Sequence, residues 1–593
     1  MSLLQIDRLT VSYSDSPEPA VNSLSFSIER GEAVGVVGES GSGKTQTAMA
    51  IMGLLPANAA IGGSIRFAGE ELLRAPQAVL NRYRACRVAM VFQDPSAALN
   101  PYVRIGKQLK RILIEHKLCS GAEARRRTLE MLKKVGLPDP ERQYRAFPHE
   151  LSGGMRQRAM IGAALLGEPD LLVADEPTTA LDVTVQAQIL RLIRDLHAET
   201  DSALILITHD LGVVAGNCER VLVMDKGQLV EEGPTRDIFR APASERTKAL
   251  LSAAPRIDSA VMATPLPAKA KTVLEIDGVA VSFRERHSAW GESLNAVKPM
   301  SLCLSEGETV AVVGESGSGK TSLVRAILGL LPADAGSVTF LGKTLPATVG
   351  ARANSTRRQL QMVFQDPLAS LNPAMSIREI IAEPLRIHTA AKSKVARNDE
   401  VLKMLGFVGL DQALAGRYPH ELSGGQAQRV AIARALILKP KVLICDEAVA
   451  ALDGTVQNEV LKLLQIEQQE SGLSVIFITH DLAVVRQISH RVLVMYMGRL
   501  CEIAENETLF RQPRHPYSKA LLNSVPVPDP EIIPADVPLV GEVSSILRPP
   551  EGCLFHPRCQ HAVAVCGEEV PEPLERDGIV VACHRAAELD LSY

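Results

Sequence analysis

The octapeptide GESGSGKT stands at residues 38–45 and again, letter for letter, at residues 314–321. Few features constrain a fold as tightly. The pattern G-x-x-x-x-G-K-[ST] works between a buried strand and a helix, where glycines let backbone N–H groups curl around phosphate and the helix dipole favours an anion. The first copy has that setting, with AVGVVG before it and TAMAIMGLL after it. A glycine-rich turn arising by chance does not recur in register.

The repeat extends well beyond eight residues. Lys44 aligns with Lys320, Gln93 with Gln365, Ser152 with Ser423, Asp175 with Asp446 and His209 with His480, at offsets that drift only from 276 to 271. Two homologous halves therefore lie in tandem. The expected units are residues 1–253 and 272–524, joined by a Pro- and Ala-rich linker at 254–271 and followed by a tail at 525–593. Within the first half the apolar runs AVGVVG, LLVAD and ALILITHD read as strands buried on both faces, which implies a largely parallel sheet with helices on both sides. Residues 86–166 read as helix and loop, an inserted helical subdomain. The fold class is α/β: two tandem phosphate-loop domains with helical subdomains and a small Cys-rich module at the C-terminus.

At 593 residues the chain is too long for one core, and 46% hydrophobic with 22% charged residues is an ordinary globular balance. A net charge of −4 gives no global attraction to nucleic acid. The start MSLLQIDRLTV lacks a secretory signal, and no apolar run reaches the roughly 18 residues of a spanning helix. The expectation is a cytosolic chain that reaches a membrane only by docking on something that spans it.

The chemistry follows from spacing. Gly38, Ser40, Gly41 and Gly43, and Gly314, Ser316, Gly317 and Gly319, form the phosphate cradles; Lys44 and Lys320 reach terminal phosphates; the Thr45 and Thr321 hydroxyls ligate Mg²⁺. LLVADE and VLICDE each end a strand in Asp-Glu. Asp175 and Asp446 are placed for the magnesium shell, and Glu176 and Glu447 for polarising the attacking water. LSGGMRQR and LSGGQAQR set Ser152, Gly153 and Gly154, and Ser423, Gly424 and Gly425, at the mouths of helices, a second anion-binding geometry in each half.

Taken together, the phosphate loops, the Gln of VFQDP, the LSGG signatures, Asp-Glu, the A-L-D element with Asp182 and Asp453, and the His of ITHD resemble ATP-binding cassette (ABC) ATPases over about residues 3–524. The resemblance implies that the two domains dimerise head to tail within one chain. One ATP site would join Lys44, Glu176 and His209 to Ser423, Gly424 and Gly425; the other would join Lys320, Glu447 and His480 to Ser152, Gly153 and Gly154. It also implies that Gln93 and Gln365 join the Mg²⁺ shell, and that Tyr13 and Phe283 stack on adenine. Both sites keep Lys, Glu and His, so two hydrolytic sites are expected, although DEAVAALDG lacks the Pro and Thr of DEPTTALDV.

FQDPSAALNP, FQDPLASLNP and RHPYSKALL are similar to the ATPases of bacterial dipeptide and oligopeptide importers. That implies peptide import at the cytoplasmic face of the bacterial inner membrane, with two transmembrane permease subunits and an extracytoplasmic solute-binding protein as partners and no nucleic acid. Nickel, glutathione or opine cargo, and a cassette protein acting on DNA or ribosomes, are the rival readings. The first half has APASERTKALL where the second has RHPYSKALL. The Arg-rich stretch at 104–111 reads as a solvated helix face.

Cys553, Cys559, Cys566 and Cys583 crowd into the tail. Four thiols so close in a chain without a signal peptide favour metal over disulfide. The spacing fits neither zinc ribbons nor common ferredoxins; similarity to importer ATPase tails implies a [4Fe–4S] cluster, with Zn²⁺ as the alternative and His556, His561 and His584 as substitute ligands.

Overall fold

The structure, a computed structural model, describes residues 2–14, 16–179, 181–259, 261–267, 270–284, 293–388, 393–449, 452, 454–532, 539 and 549–591. The described residues fall into two compact units, one within 1–181, 185–254 and 526–534, the other within 182–184, 255–525 and 535–593.

In the first unit the strands Ala33–Val37, Leu171–Asp175 and Ala203–Thr208 are buried at every position, as unbroken runs of Val, Leu and Ile require when both faces of a parallel sheet are covered. They belong to a six-stranded sheet in the order Gln228–Pro234, Arg220–Asp225, Ala33–Val37, Ala203–Thr208, Leu171–Asp175, Val88–Val91, with its first pair antiparallel and the rest parallel. Register sets Ala33 beside Leu204 and Leu171 beside Ala203. The carboxyl ends of these strands are thus brought level, and the segments that follow them carry the candidate catalytic groups.

Two features differ from the sequence reading. A separate four-stranded antiparallel sheet, Val21–Ile28, Leu4–Tyr13, Ala59–Phe67 and Glu70–Glu71, precedes and flanks the parallel one. Its strand Leu4–Tyr13 alternates buried and exposed side chains, the mark of a sheet with one wet face. Second, Val88–Val91 is a sheet strand, so the helical subdomain starts later than residue 86. Its helices Ile105–Glu115 and Gly121–Lys134 bury Ile105, Leu109, Leu113, Ala124 and Leu132 in their own apolar cluster, leaving Lys107 and Arg111 in solvent.

The second unit repeats this plan with an antiparallel sheet, Ser293–Ser305, Thr272–Arg284, Ala335–Phe340 and Lys343–Thr344, and a parallel core of Leu360–Val363, Val442–Asp446, Ser474–Ile478, Thr309–Val313 and Arg491–Tyr496. The separate Cys-rich module expected of the tail is not formed. Instead Ile579–Val581 pairs with Arg499–Glu505, and Leu574–Arg576 pairs outside it, extending the second sheet to eight strands. A segment so short buries too little surface for a core of its own, and Phe555 packs into the apolar cluster of Tyr496 and Tyr517. Among the described residues no helix is long and apolar enough to cross a membrane.

Candidate active site

Gly43 and Gly319 shape the two loops. Each takes a left-handed φ, 95° and 96°, at the N-cap of Lys44–Ile51 and Lys320–Leu328, and neither helix has a side-chain cap. A Cβ there would lie 2.4 Å from the Ala20 carbonyl oxygen and 2.3 Å from that of Ala296; only glycine fits. The first-turn N–H groups are left for an anion. Buried Lys44 donates from Nζ to the carbonyls of Gly38 and Glu39, 2.8 Å each, and Lys320 to those of Gly314 and Glu315 at 2.7 and 3.0 Å. A glycine cradle, an uncapped helix and a buried ammonium suit the phosphates of ATP.

The Thr45 hydroxyl donates to Asp175 Oδ1, and that of Thr321 to Asp446 Oδ1, each at 3.3 Å. Burial, against the Thr45 bond and with the charge of Glu176 beside it, pushes the Asp175 carboxyl up to about 6; burial and Glu447 raise Asp446 likewise. Such a carboxylate is short of positive charge, and a hydroxyl beside it completes a hard oxygen pair suited to Mg²⁺.

Glu176 and Glu447 sit at φ 45° and 50°, a strained backbone for a side-chain-bearing residue, pinned by donation from their own N–H to Ile207 and Ile478 carbonyls at 2.8 and 2.9 Å. Glu176 Oε1 lies 3.1 Å from His209 Nδ1, while Oε2 accepts from Gln93 Nε2 at 2.7 Å and Thr179 Oγ1 at 2.9 Å. Burial alone would raise this carboxyl; the bonds from His209 and Thr179 bring it down to about 2, and the same bond raises His209. In the second unit Gln365 Nε2 donates to Glu447 Oε2 at 2.6 Å and His480 Nδ1 lies 3.5 Å from Oε1. The His480 bond holds Glu447 below the usual carboxylate range. Each unit thus gathers Lys, Thr, Asp, Glu, Gln and His at one sheet end. Gln93 and Gln365, expected around Mg²⁺, bond the glutamates.

The signature residues cap their own helices. Ser152 Oγ accepts from Met155 N at 3.2 Å before Gly153–Leu165, and Ser423 Oγ from Gln426 N at 3.3 Å before Gly424–Leu436, with Gln426 Oε1 accepting from Ser423 N at 3.1 Å. A Cβ on Gly153 or Gly424 would meet nothing within 4 Å, so these helix mouths are open to approach. Tyr13 is half-buried with its hydroxyl on Gln46, whereas Phe283 is 40% exposed. Asp182 is buried; Asp453 lies outside the described residues.

Two participants escaped sequence reading. Thr179, three residues after Glu176, was visible only as a difference between DEPTT and DEAVA. The other is Arg558, which reaches the Glu315 carboxylate from the tail.

The metal centre expected of the tail is not assembled. Cys553, Cys559, Cys566 and Cys583 line one cavity of about 20 Å³ with His556, His561 and His584. Among the described residues no three His, Cys, Asp or Glu side chains form a group that would hold a metal ion. Burial pushes the Cys583 thiol up to about 11 and raises Cys553 and Cys559.

Comparison with known proteins gives the family. The family model described as "ABC transporter" matches residues 21–179 and 297–450. That for the "Oligopeptide/dipeptide transporter, C-terminal region" matches 501–566 and also 230–286, so the first half shares this region despite its altered motif. The glutathione import ATP-binding protein of Pectobacterium atrosepticum is 41% identical, covering 92% of this chain and 93% of its own. The peptidoglycan transport ATP-binding protein of Agrobacterium fabrum is 43% identical over 88% of this chain and 96% of its own. With two matched cassettes, each holding a phosphate loop and a glutamate–histidine pair, the chain belongs to the ABC transporter family, as an ATPase with both nucleotide-binding domains in one polypeptide.

Proposed function

We propose that this ATPase powers import of short peptides, glutathione-like molecules among them, through a pair of membrane permeases fed by a solute-binding protein, at the cytoplasmic face of the bacterial inner membrane. The observation that carries the reading is the second-half segment at residues 501–566, which holds the RHPYSKALL helix Pro516–Asn523 and is matched by the oligopeptide/dipeptide transporter model. The relatives named for glutathione import and peptidoglycan transport support it.

Each ATP is held between the phosphate loop of one half and the signature of the other: Lys44, Thr45, Asp175, Glu176 and His209 with Ser423, Gly424 and Gly425, and Lys320, Thr321, Asp446, Glu447 and His480 with Ser152, Gly153 and Gly154. Mg²⁺, when bound, neutralises phosphate charge. The protein's own groups do the rest. Lys44 and Lys320 stabilise the transferring phosphoryl group, and Glu176 and Glu447 accept hydrogen bonds from the attacking water and orient it. His209 and His480 hold those carboxylates in place, and Tyr13 and Phe283 stack on the adenine. Tyr102, 89% exposed in the loop after Gln93, offers a permease a contact.

Affinity purification of the tagged chain from mildly solubilised membranes, with mass spectrometry of what accompanies it, tests this. Two permeases are expected. Ribosomal or DNA-processing proteins without permeases would overturn the transport assignment while leaving the ATPase intact.

A further inference from the structure

Glu39 and Glu315 are the second residues of the identical octapeptides, and each needs a cation. In the first unit Glu39 pairs with Arg246 of the helix Glu245–Ala253, which also lies 3.3 Å from Asp225. Both partners change in the second half, where the aligned positions hold Tyr517 and Tyr496. Tyr517 OH accepts from the Glu315 backbone N–H at 2.9 Å, and the two rings pack with centroids 4.7 Å apart. The missing cation arrives from the tail. Arg558, in the turn His556–Arg558, donates from Nη1 and Nη2 to the two Glu315 carboxylate oxygens at 2.7 and 3.0 Å, and from Nη1 to Tyr496 OH at 3.3 Å. Its guanidinium lies 5.8 Å from the centre of the Tyr496 ring. The pair is closed to water, with side-chain exposures of 4% and 3%.

We propose that Arg558 is a positioning residue of the second ATP site: the C-terminal tail completes that phosphate loop by neutralising Glu315, whose carbonyl in turn holds Lys320. A planar bidentate fork fixes the orientation of a carboxylate as well as its charge, so the Glu315–Lys320 stretch of backbone is set by a residue 243 positions downstream. In the first loop Glu39 is paired with Arg246 of its own half instead. Removing the fork leaves the buried Glu315 carboxylate without a countercharge, held among the described residues only by the Thr184 hydroxyl, which donates to Oε1 at 2.5 Å; a buried charge so stranded costs more than the pair contributes and is relieved by movement of the loop.

This rests on both octapeptides being ATP-binding loops, and the test separates the two claims. Binding of trinitrophenyl-ATP with Mg²⁺ is measured on the full-length chain in a Lys44→Ala background, which isolates the second loop, and in a Lys320→Ala background, which isolates the first. Arg558→Ala is expected to weaken binding tenfold or more in the first background and less than twofold in the second, with Arg558→Lys recovering part of the loss. A change below twofold in the Lys44→Ala background, or equal losses in both, overturns the proposal. Should Arg558→Ala fail to fold, Glu315→Gln, Arg558→Gln and their double variant serve instead. The double variant is expected to bind within about threefold of the weaker single variant, and additive losses overturn the coupling. Undiminished binding in a Lys44→Ala/Lys320→Ala chain would refute the loop assignment itself, whatever Arg558 does.

Discussion

Glu39 and Glu315 occupy the same place in identical octapeptides, yet one leans on Arg246 from its own half and the other on Arg558 from the tail. Around Glu39 the support is a partly exposed charge network with Asp225; around Glu315 it is a buried fork walled by Tyr496, Tyr517 and Phe555. The strand-end glutamates proposed to orient the attacking water diverge as well. Glu176 takes bonds from His209, Gln93 and Thr179, while Glu447 has Gln365 and a longer approach from His480; Ala450, outside the described residues, supplies no hydroxyl. Identical motifs therefore do not make identical sites, because the environment that tunes them is drawn from unmatched sequence.

The comparison is sharpened most by removing the glutamates themselves. Glu176→Gln and Glu447→Gln should each lower steady-state ATP turnover by two orders of magnitude or more, the scale of a lost general-base contribution. A variant with unchanged turnover would make its half a non-hydrolytic partner. Next comes the anchoring. Glu315→Ala strands the buried Arg558 and should cost about 3–5 kcal/mol in urea unfolding, whereas Glu39→Ala, at a partly exposed pair with Asp225 still present, should cost less than about 1 kcal/mol. Equal losses would erase the distinction drawn here.

Asp175→Asn gives a smaller and opposite effect. Its carboxyl is raised in the folded state from 3.8 to about 6, so it prefers a proton there. The fold bears the full cost of the charge above pH 6, and the cost disappears as pH falls toward 3.8. Without nucleotide, Asp175→Asn should melt a few degrees higher than the parent at pH 8 and converge with it near pH 4, while losing Mg²⁺-dependent turnover. Thr179→Ala should do least. It removes one hydrogen bond to Glu176, worth about 1 kcal/mol, and should slow the first site by roughly fivefold, making it resemble the second.

Much of the site could be read before the fold was known, since phosphate loops, strand-end Asp-Glu pairs and the strand-end His are local patterns whose chemistry depends on short spacing. What could not be read has long range. The antiparallel sheets join strands by pairings that no local pattern names, and Val88–Val91 is too short to declare a period. The expected Cys-rich module dissolved because its strands found a free edge beside Arg499–Glu505. The four tail thiols line one cavity, yet among the described residues no three His, Cys, Asp or Glu side chains form a group that would hold a metal ion.

The duplicated sequence by itself determined that there are two cassettes, where each glycine loop and its lysine stand, and which carboxylates stand at the strand ends, because backbone conformation and strand burial follow from residue type at short spacing. Only the tertiary structure decided which cation neutralises each loop glutamate. Arg246 and Arg558 lie at unrelated distances along the chain, and a buried carboxylate is satisfied by whichever guanidinium the packing of tail and sheet brings within hydrogen-bond reach.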